Sequence, residues 1–240
     1  MSRNRIFIGL ACVAVLGALV LFAADATIFA PVILPTPTAS AAPGSIPPIA
    51  SGTDAPTPDP SVRVFHIDPS QSEVRYEVGE TFFDENNRFA IAVGRTHGVS
   101  GDIFVNLERP AASRLGEIVI DVSQFTSDET RRDNFIRRSG LESARFPLAR
   151  FVPTGIEGFP EELAAGEEVL FTVNGDLTVK DVTLPVDWSV TARQDADRIT
   201  GTAETQILMS DFGVGPIRIS FLMTEDAVHL VFDFVAVAAG

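Results

Sequence analysis

Hydrophobic and polar residues alternate along most of the chain after residue 62, which is the pattern of half-buried β-strands rather than of helices. The clearest stretch covers residues 169–190. Its apolar positions are Val169, Phe171, Val173, Gly175, Leu177 and Val179, followed by Val182, Leu184, Val186, Trp188 and Val190. The alternation changes phase at Lys180-Asp181, which indicates a tight turn. The stretch therefore predicts an antiparallel hairpin.

The same two-residue period recurs in shorter segments before and after this hairpin. Their apolar positions are Val74, Tyr76 and Val78; Val99, Ile103, Val105 and Leu107; Ile118, Ile120 and Val122; Ile199, Ala203, Ile207 and Met209; and Leu230, Phe232 and Phe234. Counting short and uncertain segments gives about eight to ten strands. One helix is predicted at residues 128–138, with Ser127 or Asp128 as its N-cap and Gly140 beyond its end.

Many antiparallel strands with one apolar face predict a sandwich or a closed barrel, and closure removes exposed edges. A barrel of about eight strands has an interior just wide enough for side chains or one small ligand. Gly175 and Gly201 fall on apolar faces where a packed core would favour bulk, which favours a cavity. The alternative is that these glycines mark bulges or bends, and periodicity alone leaves both interpretations open.

The N-terminal part follows a different pattern. Arg3 and Arg5 precede an uncharged run of 19 residues, 6–24, which at about 1.5 Å per residue is long enough to cross a bilayer core. Residues 1–30 therefore read as an uncleaved membrane anchor, or alternatively as a signal peptide that is removed on secretion. In both cases the preceding arginines predict an extracytoplasmic location for the rest of the chain, at the cell surface or in a periplasm.

A linker separates this segment from the folded part. Residues 31–60 contain nine of the 16 prolines, and Ser, Thr, Ala and Gly fill much of the remainder. Such a composition lacks the backbone donors for regular structure and stays extended. We therefore predict a disordered linker over residues 31–61 and a single β-domain over residues 62–240.

Composition and charge exclude several functions. A net charge of −14 argues against a nucleic-acid partner, because phosphate backbones would be repelled. A single Cys excludes an intramolecular disulfide, and three His without ligand-like spacing predict no metal centre. The motifs of serine hydrolases, P-loop nucleotidases and zinc proteases do not occur. The sequence therefore predicts neither an enzyme nor a cofactor.

The hairpin segment GDLTVKDVTLPV, residues 175–186, resembles the signature hairpin of the YceI-like family. Further segments resemble the family's other motifs in the same order: Ile67–Ser72, Val99–Gly101, Arg132-Asp133, Phe146-Pro147 with Phe151, and Ser210–Gly213. Together they cover about residues 62–237. The chain departs from the family at Gln71, where His is frequent, and at Leu184 and Met209, where a basic residue is frequent.

The resemblance implies an all-β, extended lipocalin-like antiparallel barrel with one accessory helix. It also implies a binding protein that sequesters or carries a long-chain amphiphile, a polyisoprenoid or an isoprenoid quinone, in the barrel interior. Burial of each chain methylene contributes about 0.8 kcal/mol, so such a ligand needs few polar contacts. The alternative is a structural, interaction or stress-response domain with a filled barrel and no ligand. The sequence leaves open whether the protein forms a homodimer.

Candidate ligand-binding residues follow from the alternating apolar faces. The candidate lining comprises Ile103, Val105, Ile118, Ile120, Phe171, Val173, Gly175, Leu177, Val186, Trp188, Gly201, Phe232 and Phe234. Candidate headgroup contacts are Arg131, Arg132 and Asp133 at the predicted helix start and Asp211 in the late turn, because a helix N-terminus and arginines favour anions. The alternative is that these arginines pair with neighbouring carboxylates. In either case we expect the tail to supply most of the affinity.

Overall fold

The structure, a computed structural model, describes residues 60–164 and 166–240. Twelve strands of one antiparallel sheet dominate this part of the chain. They are β1 (Val62–Ile67), β2 (Glu73–Phe82), β3 (Arg88–Thr96), β4 (Val99–Ser100), β5 (Asp102–Asn106), β6 (Arg114–Leu115), β7 (Ile118–Asp121), β8 (Leu148–Glu157), β9 (Glu168–Val179), β10 (Val182–Asp195), β11 (Arg198–Leu208) and β12 (Leu222–Ala238). The predicted all-β, antiparallel class is confirmed.

The predicted membrane segment, residues 1–30, and almost all of the predicted linker lie outside the described residues. Those two assignments therefore stay predictions. Within the described ranges, no helix has the length and hydrophobicity needed to cross a membrane.

The sheet is strongly curled. Its strands follow the order β4-β7-β8-β9-β10-β11-β12-β1-β5-β6, and β2 joins it by pairing with β12 on one side and β3 on the other. β12 is 17 residues long and therefore pairs with two strands along one edge, with β2 through Leu222–Asp233 and with β1 through Ala236–Ala238. Only Gly101 separates β4 from β5 in sequence, so one stretch of chain supplies strands near both ends of the order.

The structure has twelve strands rather than the predicted eight to ten, because short interruptions divide the chain into more segments. Residues 97–98 separate β3 from β4, and Gly101 separates β4 from β5. A turn over residues 68–72 separates β1 from β2, and the Asp68 carboxylate accepts hydrogen bonds from the backbone amide and hydroxyl of Ser70 at 2.9 and 2.6 Å. These interruptions let the wall of the sheet bend.

The predicted hairpin is formed by β9 and β10. Val179 pairs with Val182 across the two-residue connection, and the register continues to the pair Glu168 and Arg193. Lys180 adopts a left-handed backbone conformation with a φ of +58°. The phase change in the sequence therefore located the turn correctly.

The helix is shorter than the predicted 128–138. α1 spans Thr130–Phe135, and a π-helical turn continues it over Ile136–Gly140. Its N-cap is Glu129, whose side chain accepts from the backbone amide of Arg131 at 2.9 Å, rather than Ser127 or Asp128. The Ser127 hydroxyl instead donates to the buried Asp133 carboxylate at 2.6 Å, which holds the preceding turn against the helix.

Candidate functional site

Two apolar cavities lie among the inward-facing side chains of the sheet. Cavity 1 has a volume of about 380 Å³, and its walls come from β5, β7, β9, β10 and β12 among others. Nine predicted lining residues face it: Ile103, Val105, Ile118, Ile120, Phe171, Val173, Trp188, Phe232 and Phe234. Aromatic rings pack in pairs along its wall, with Phe159 and Phe171 edge to face at 5.0 Å between centroids. Leu107 lines the cavity and is more than half exposed, which marks an opening.

Cavity 2 is larger, at about 490 Å³, and lies towards α1 and the turn that follows β11. Of the predicted apolar lining it contains Leu177, and it shares Ile120 and Trp188 with cavity 1. Val74 is also common to both cavities. The two cavities therefore adjoin, and each lies in the usual size range of ligand pockets, about 300–1,000 Å³.

Cavity 2 opens at the protein surface beside three large apolar side chains. Phe135, Ile219 and Phe221 line this cavity, and each is at least 38% exposed. Met209 also lines cavity 2. It is one of the two positions at which a basic residue is frequent in the family that the sequence resembles. The opening therefore presents an apolar rim to solvent.

Trp188 stands at the junction of the two cavities. Its ring packs edge-on against Phe151, with 5.9 Å between centroids. Its indole Nε1 is buried and has no hydrogen-bond partner among the described residues. A buried donor without a partner costs about 1–3 kcal/mol. Because Trp188 is the single tryptophan of the chain, its fluorescence reports on both cavities.

The two glycines of the predicted lining do not leave open space. A Cβ at Gly175 would lie 2.5 Å from the ring of Phe151, and a Cβ at Gly201 would lie 2.7 Å from the ring of Phe234. Aromatic rings therefore cover both glycines and occupy the space that the sequence interpretation assigned to a ligand. Neither glycine is among the residues that line the two cavities, because periodicity identifies a face but not the neighbour that packs on it.

A substitution at Gly201 should destabilise the fold rather than merely fill a cavity. In Gly201→Ala the new Cβ would approach the carbonyl oxygen of Thr191 to 2.4 Å, so we expect a loss of about 1–3 kcal/mol in the free energy of unfolding. Gly155→Ala is the matched control, since its Cβ would meet only the Asn174 side chain at 3.6 Å. Urea unfolding of the full chain, followed by Trp188 fluorescence, measures both. Equal stability of the two variants would contradict the close packing at Gly201.

Two other predicted site residues lie away from both cavities. Val186 packs in the main hydrophobic core, but it lines neither cavity. Its exposed atoms border a groove on the outside of the sheet. Asp211 is exposed and lines the same groove. The exposure of Asp211 follows from the 3-10 turn Met209–Phe212. This turn directs Phe212 into cavity 2, where it is 2% exposed, and leaves the neighbouring Asp211 outside. Asp211 therefore does not join the arginines in one headgroup site.

Both predicted arginines line cavity 2, and Arg132 is paired. Its Nε and Nη2 donate to the two oxygens of Glu80 at 3.1 and 3.0 Å, and Nη1 donates to Ser127 Oγ at 3.1 Å and to Asp128. Burial alone would lower the pKa of Arg132, but the hydrogen bonds to Glu80 and Asp128 outweigh it and the pKa lies above its ordinary value. The geometry thus corresponds to the carboxylate-pairing alternative for Arg132.

Glu80 and Tyr76 are cavity residues that the sequence interpretation missed. Glu80 is 4% exposed and follows Val74, Tyr76 and Val78 on the inward face of β2. Burial raises the pKa of Tyr76 well above its ordinary value, although the charge of Arg132 acts in the opposite direction. The signal was present in the sequence, because a carboxylate that continues an apolar period-2 face must find a buried partner.

The relationship of this chain to known proteins is shown by a match to a protein-family model. The model of the YceI-like domain matches residues 65–236. The chain belongs to the YceI-like family. Among curated relatives, a UPF0312 protein of Shewanella baltica (strain OS185) is 27% identical over 141 residues, which cover 56% of this chain and 70% of that protein. A UPF0312 protein of Shewanella oneidensis is 29% identical over the same length and with the same coverage.

Two solved structures share the YceI-like fold. Burkholderia cenocepacia BcnA has a TM-score of 0.55 and 22% identity, covering 70% of this chain and 98% of its own. A polyisoprenoid binding domain from Saccharophagus degradans, implicated in plant cell wall breakdown, has a TM-score of 0.55 and 16% identity, covering 73% of this chain and 98% of its own. At these identities the similarity shows the fold alone, which is the curled, lipocalin-like antiparallel sheet with one helix.

Proposed function

We propose that this protein is a non-enzymatic binding protein that holds the tail of a long-chain amphiphile, a polyisoprenoid or an isoprenoid quinone. The observation that carries the proposal is the pair of adjoining apolar cavities, which share Val74, Ile120 and Trp188. A tail that crosses the Trp188 junction would use both volumes. The description of the Saccharophagus degradans neighbour as a polyisoprenoid binding domain supports the same ligand class.

Closure of the curled sheet into a lipocalin-like tube is part of the proposal. β4 pairs with β7 through Val99 and Ile120, and β5 pairs with β1 through Ile103 and Phe65. The amide of Ile67 also donates to the carbonyl of Gly101 at 3.0 Å, between these two pairings. These contacts support a continuous wall around the cavities.

The ligand's orientation follows from the distribution of polar groups. Cavity 2 has Tyr76 and the buried Glu80–Arg132 ion pair in its lining. Cavity 1 also has polar residues in its lining, but none of them is a carboxylate or a tyrosine: Asn106, Ser113, Arg114, Arg193 and Gln194. We place the headgroup in cavity 2, and the tail extends past Trp188 into cavity 1.

We further propose that the protein acts outside the cytoplasm, held at a membrane by residues 6–24. The proposal rests on the uncharged length of that run and on the arginines before it. Residues 31–61 would then let the domain reach several tens of ångströms, at about 3.1 Å per residue where polyproline II forms. An intact N-terminus in the membrane pellet after a carbonate wash is the expected result. A soluble chain that begins near residue 25–30 would contradict the anchor and support secretion.

Native mass spectrometry of the gently extracted full chain tests the proposed function directly. We expect a co-purifying lipid of defined mass, which organic extraction would release. A mass that matches the protein alone, together with no change in Trp188 fluorescence on addition of long isoprenoids, would instead support the filled-barrel interaction domain.

Filling cavity 1 should shorten the tail that the protein accepts. Ala203 lines this cavity and is buried, so Ala203→Phe should place a ring in the tail's path. We expect affinity for a long polyprenol to fall by more than about tenfold, since several methylenes lose their burial, while farnesol binding changes little. Glu204→Phe is the matched control, because it adds the same ring at the exposed neighbouring position. Trp188 fluorescence titration measures all three proteins, and an equal loss for both alcohols would contradict the orientation.

A further inference from the structure

The charged side chains at the polar end of cavity 2 balance one another in formal charge. Among the described residues, four charged side chains line this cavity, and their formal charges cancel: Glu80, Glu129, Arg131 and Arg132. The Glu80 side chain is 5% exposed and the Arg132 side chain 17%, so their pairing takes place largely away from water. A headgroup at this buried end therefore meets an ion pair that is already formed. The Arg131 guanidinium, which has no ion pair with another described residue, is exposed to water.

The hydrogen bonds that Arg132 already makes leave few of its N–H donors for an anionic ligand. A guanidinium has five N–H donors. Two bind Glu80, and two more bind Ser127 and Asp128, so four are engaged. A phosphate is recognised best by a guanidinium that presents two parallel free donors. Arg132 presents one, and it would have to give up a bond to Glu80, Ser127 or Asp128 to offer more.

The carboxylates around Arg132 oppose a second negative charge. Asp128 contacts Arg132 directly, and Asp133 is buried in the same turn, where it accepts hydrogen bonds from the Ser127 amide and hydroxyl. Burial raises the pKa of the neighbouring Tyr76, and the charges of both carboxylates, together with that of Glu80, raise this pKa further. A phosphate monoester carries a charge of about −1.5 to −2 at pH 7, and a diphosphate is at least as negative. Such a group would come close to the carboxylates of Glu80, Asp128 and Asp133, which repel it.

Neutral polar groups find suitable partners at the same place. A carboxylate offers about four lone-pair sites, and Arg132 occupies two of those on Glu80, so Glu80 can still accept from a hydroxyl or an amide. The Tyr76 hydroxyl forms no hydrogen bond with another residue of the described part of the chain. It can therefore donate to a ligand carbonyl or hydroxyl.

We propose that the Glu80–Arg132 pair is a specificity determinant that selects an uncharged headgroup, a hydroxyl or a carbonyl, and rejects a phosphate or diphosphate. The inference rests on the proposed function, which supplies the tail-binding cavities. It adds the chemical class of the headgroup and names the residue, Glu80, whose charge sets the selection.

Farnesol and farnesyl diphosphate test the proposal, because they share one tail and differ only in the headgroup. Titration of the full chain, followed by Trp188 fluorescence at fixed ionic strength, should show the diphosphate binding at least about tenfold more weakly than the alcohol. Glu80→Gln keeps the size of the side chain but removes its charge, and because the amide nitrogen cannot accept, it frees one of the two Arg132 donors that bind Glu80. In this variant we expect the preference for the alcohol to shrink by about tenfold, mainly through tighter binding of the diphosphate.

Glu77→Gln is the matched control. It makes the same chemical change on the same strand, but Glu77 lies on the outer face, where it accepts from Arg75 and contacts His229. Its headgroup preference should equal that of the unmodified protein. If Glu80→Gln does not fold, Asp128→Asn replaces it, because Asp128 is exposed and the change removes one negative charge beside Arg132. The shift should then be smaller and in the same direction.

The outcomes separate the two proposals. Equal or tighter binding of the diphosphate by the unmodified protein would overturn the headgroup inference and leave tail binding intact. An unchanged preference in both Glu80→Gln and Asp128→Asn would overturn the role of the ion pair. Failure of both ligands to bind, with no response to longer polyprenols, would overturn the proposed function itself.

Discussion

Each added isoprene unit should tighten binding by more than tenfold until the tail fills both cavities. Burial contributes about 0.8 kcal/mol per methylene, so five carbons contribute about 4 kcal/mol at full burial. Restricted rotation of the tail removes part of this gain, and about 1.4 kcal/mol corresponds to a factor of ten. The measurement is a Trp188 fluorescence titration with geraniol, farnesol, geranylgeraniol and longer polyprenols.

The affinity series should level off once the tail extends beyond cavity 1, because further carbons stay in water. Ala203→Phe should move this plateau to a shorter tail, which ties the length dependence to cavity 1 rather than to general hydrophobicity. Exchanging one neutral headgroup for another on a matched tail should change the affinity much less than one isoprene unit does. Equal affinity across all tail lengths would show that the headgroup, not the tail, supplies the binding energy.

Removal of Arg132 should destabilise the fold by about 3–5 kcal/mol, because it leaves the Glu80 carboxylate buried without its partner. Arg132→Met keeps the length of the side chain and its apolar packing while it removes the charge and all four hydrogen bonds. Urea unfolding of the full chain gives the change in the free energy of unfolding. The double variant Glu80→Leu with Arg132→Met should recover most of this loss, since an apolar pair needs no counter-charge.

Arg75→Met is the control for a pair on the outer surface. Arg75 binds Glu77 and Asp233 in β2 and β12, whose side chains are 33% and 44% exposed against 5% for Glu80. Water can solvate these two carboxylates once the arginine is removed, so the loss should be smaller than in Arg132→Met. A loss in Arg132→Met no larger than the loss in Arg75→Met would show that Glu80 is solvated in solution. In that case the headgroup selection proposed for cavity 2 would lose its electrostatic basis.

Much of the site was predictable because strand periodicity carries directional information. Nine of the thirteen predicted lining residues face cavity 1, and Leu177 faces cavity 2. The exceptions, Gly175, Gly201 and Val186, lie on correctly predicted apolar faces. Their role depends on which ring or strand packs over them, and this contact joins residues far apart in the chain.

Alternation of apolar and polar residues by itself determined the all-β class, the β9–β10 hairpin and the inward faces, because a strand exposes successive side chains to opposite sides. Only the tertiary structure decided how the interior is divided. Trp188 splits it into two cavities, Phe151 and Phe234 cover the glycines, and Glu80 meets Arg132 from 52 residues away. The physical reason is distance along the chain. Periodicity depends on residues that are neighbours in sequence, whereas the space and charge inside a curled sheet depend on side chains brought together from distant strands.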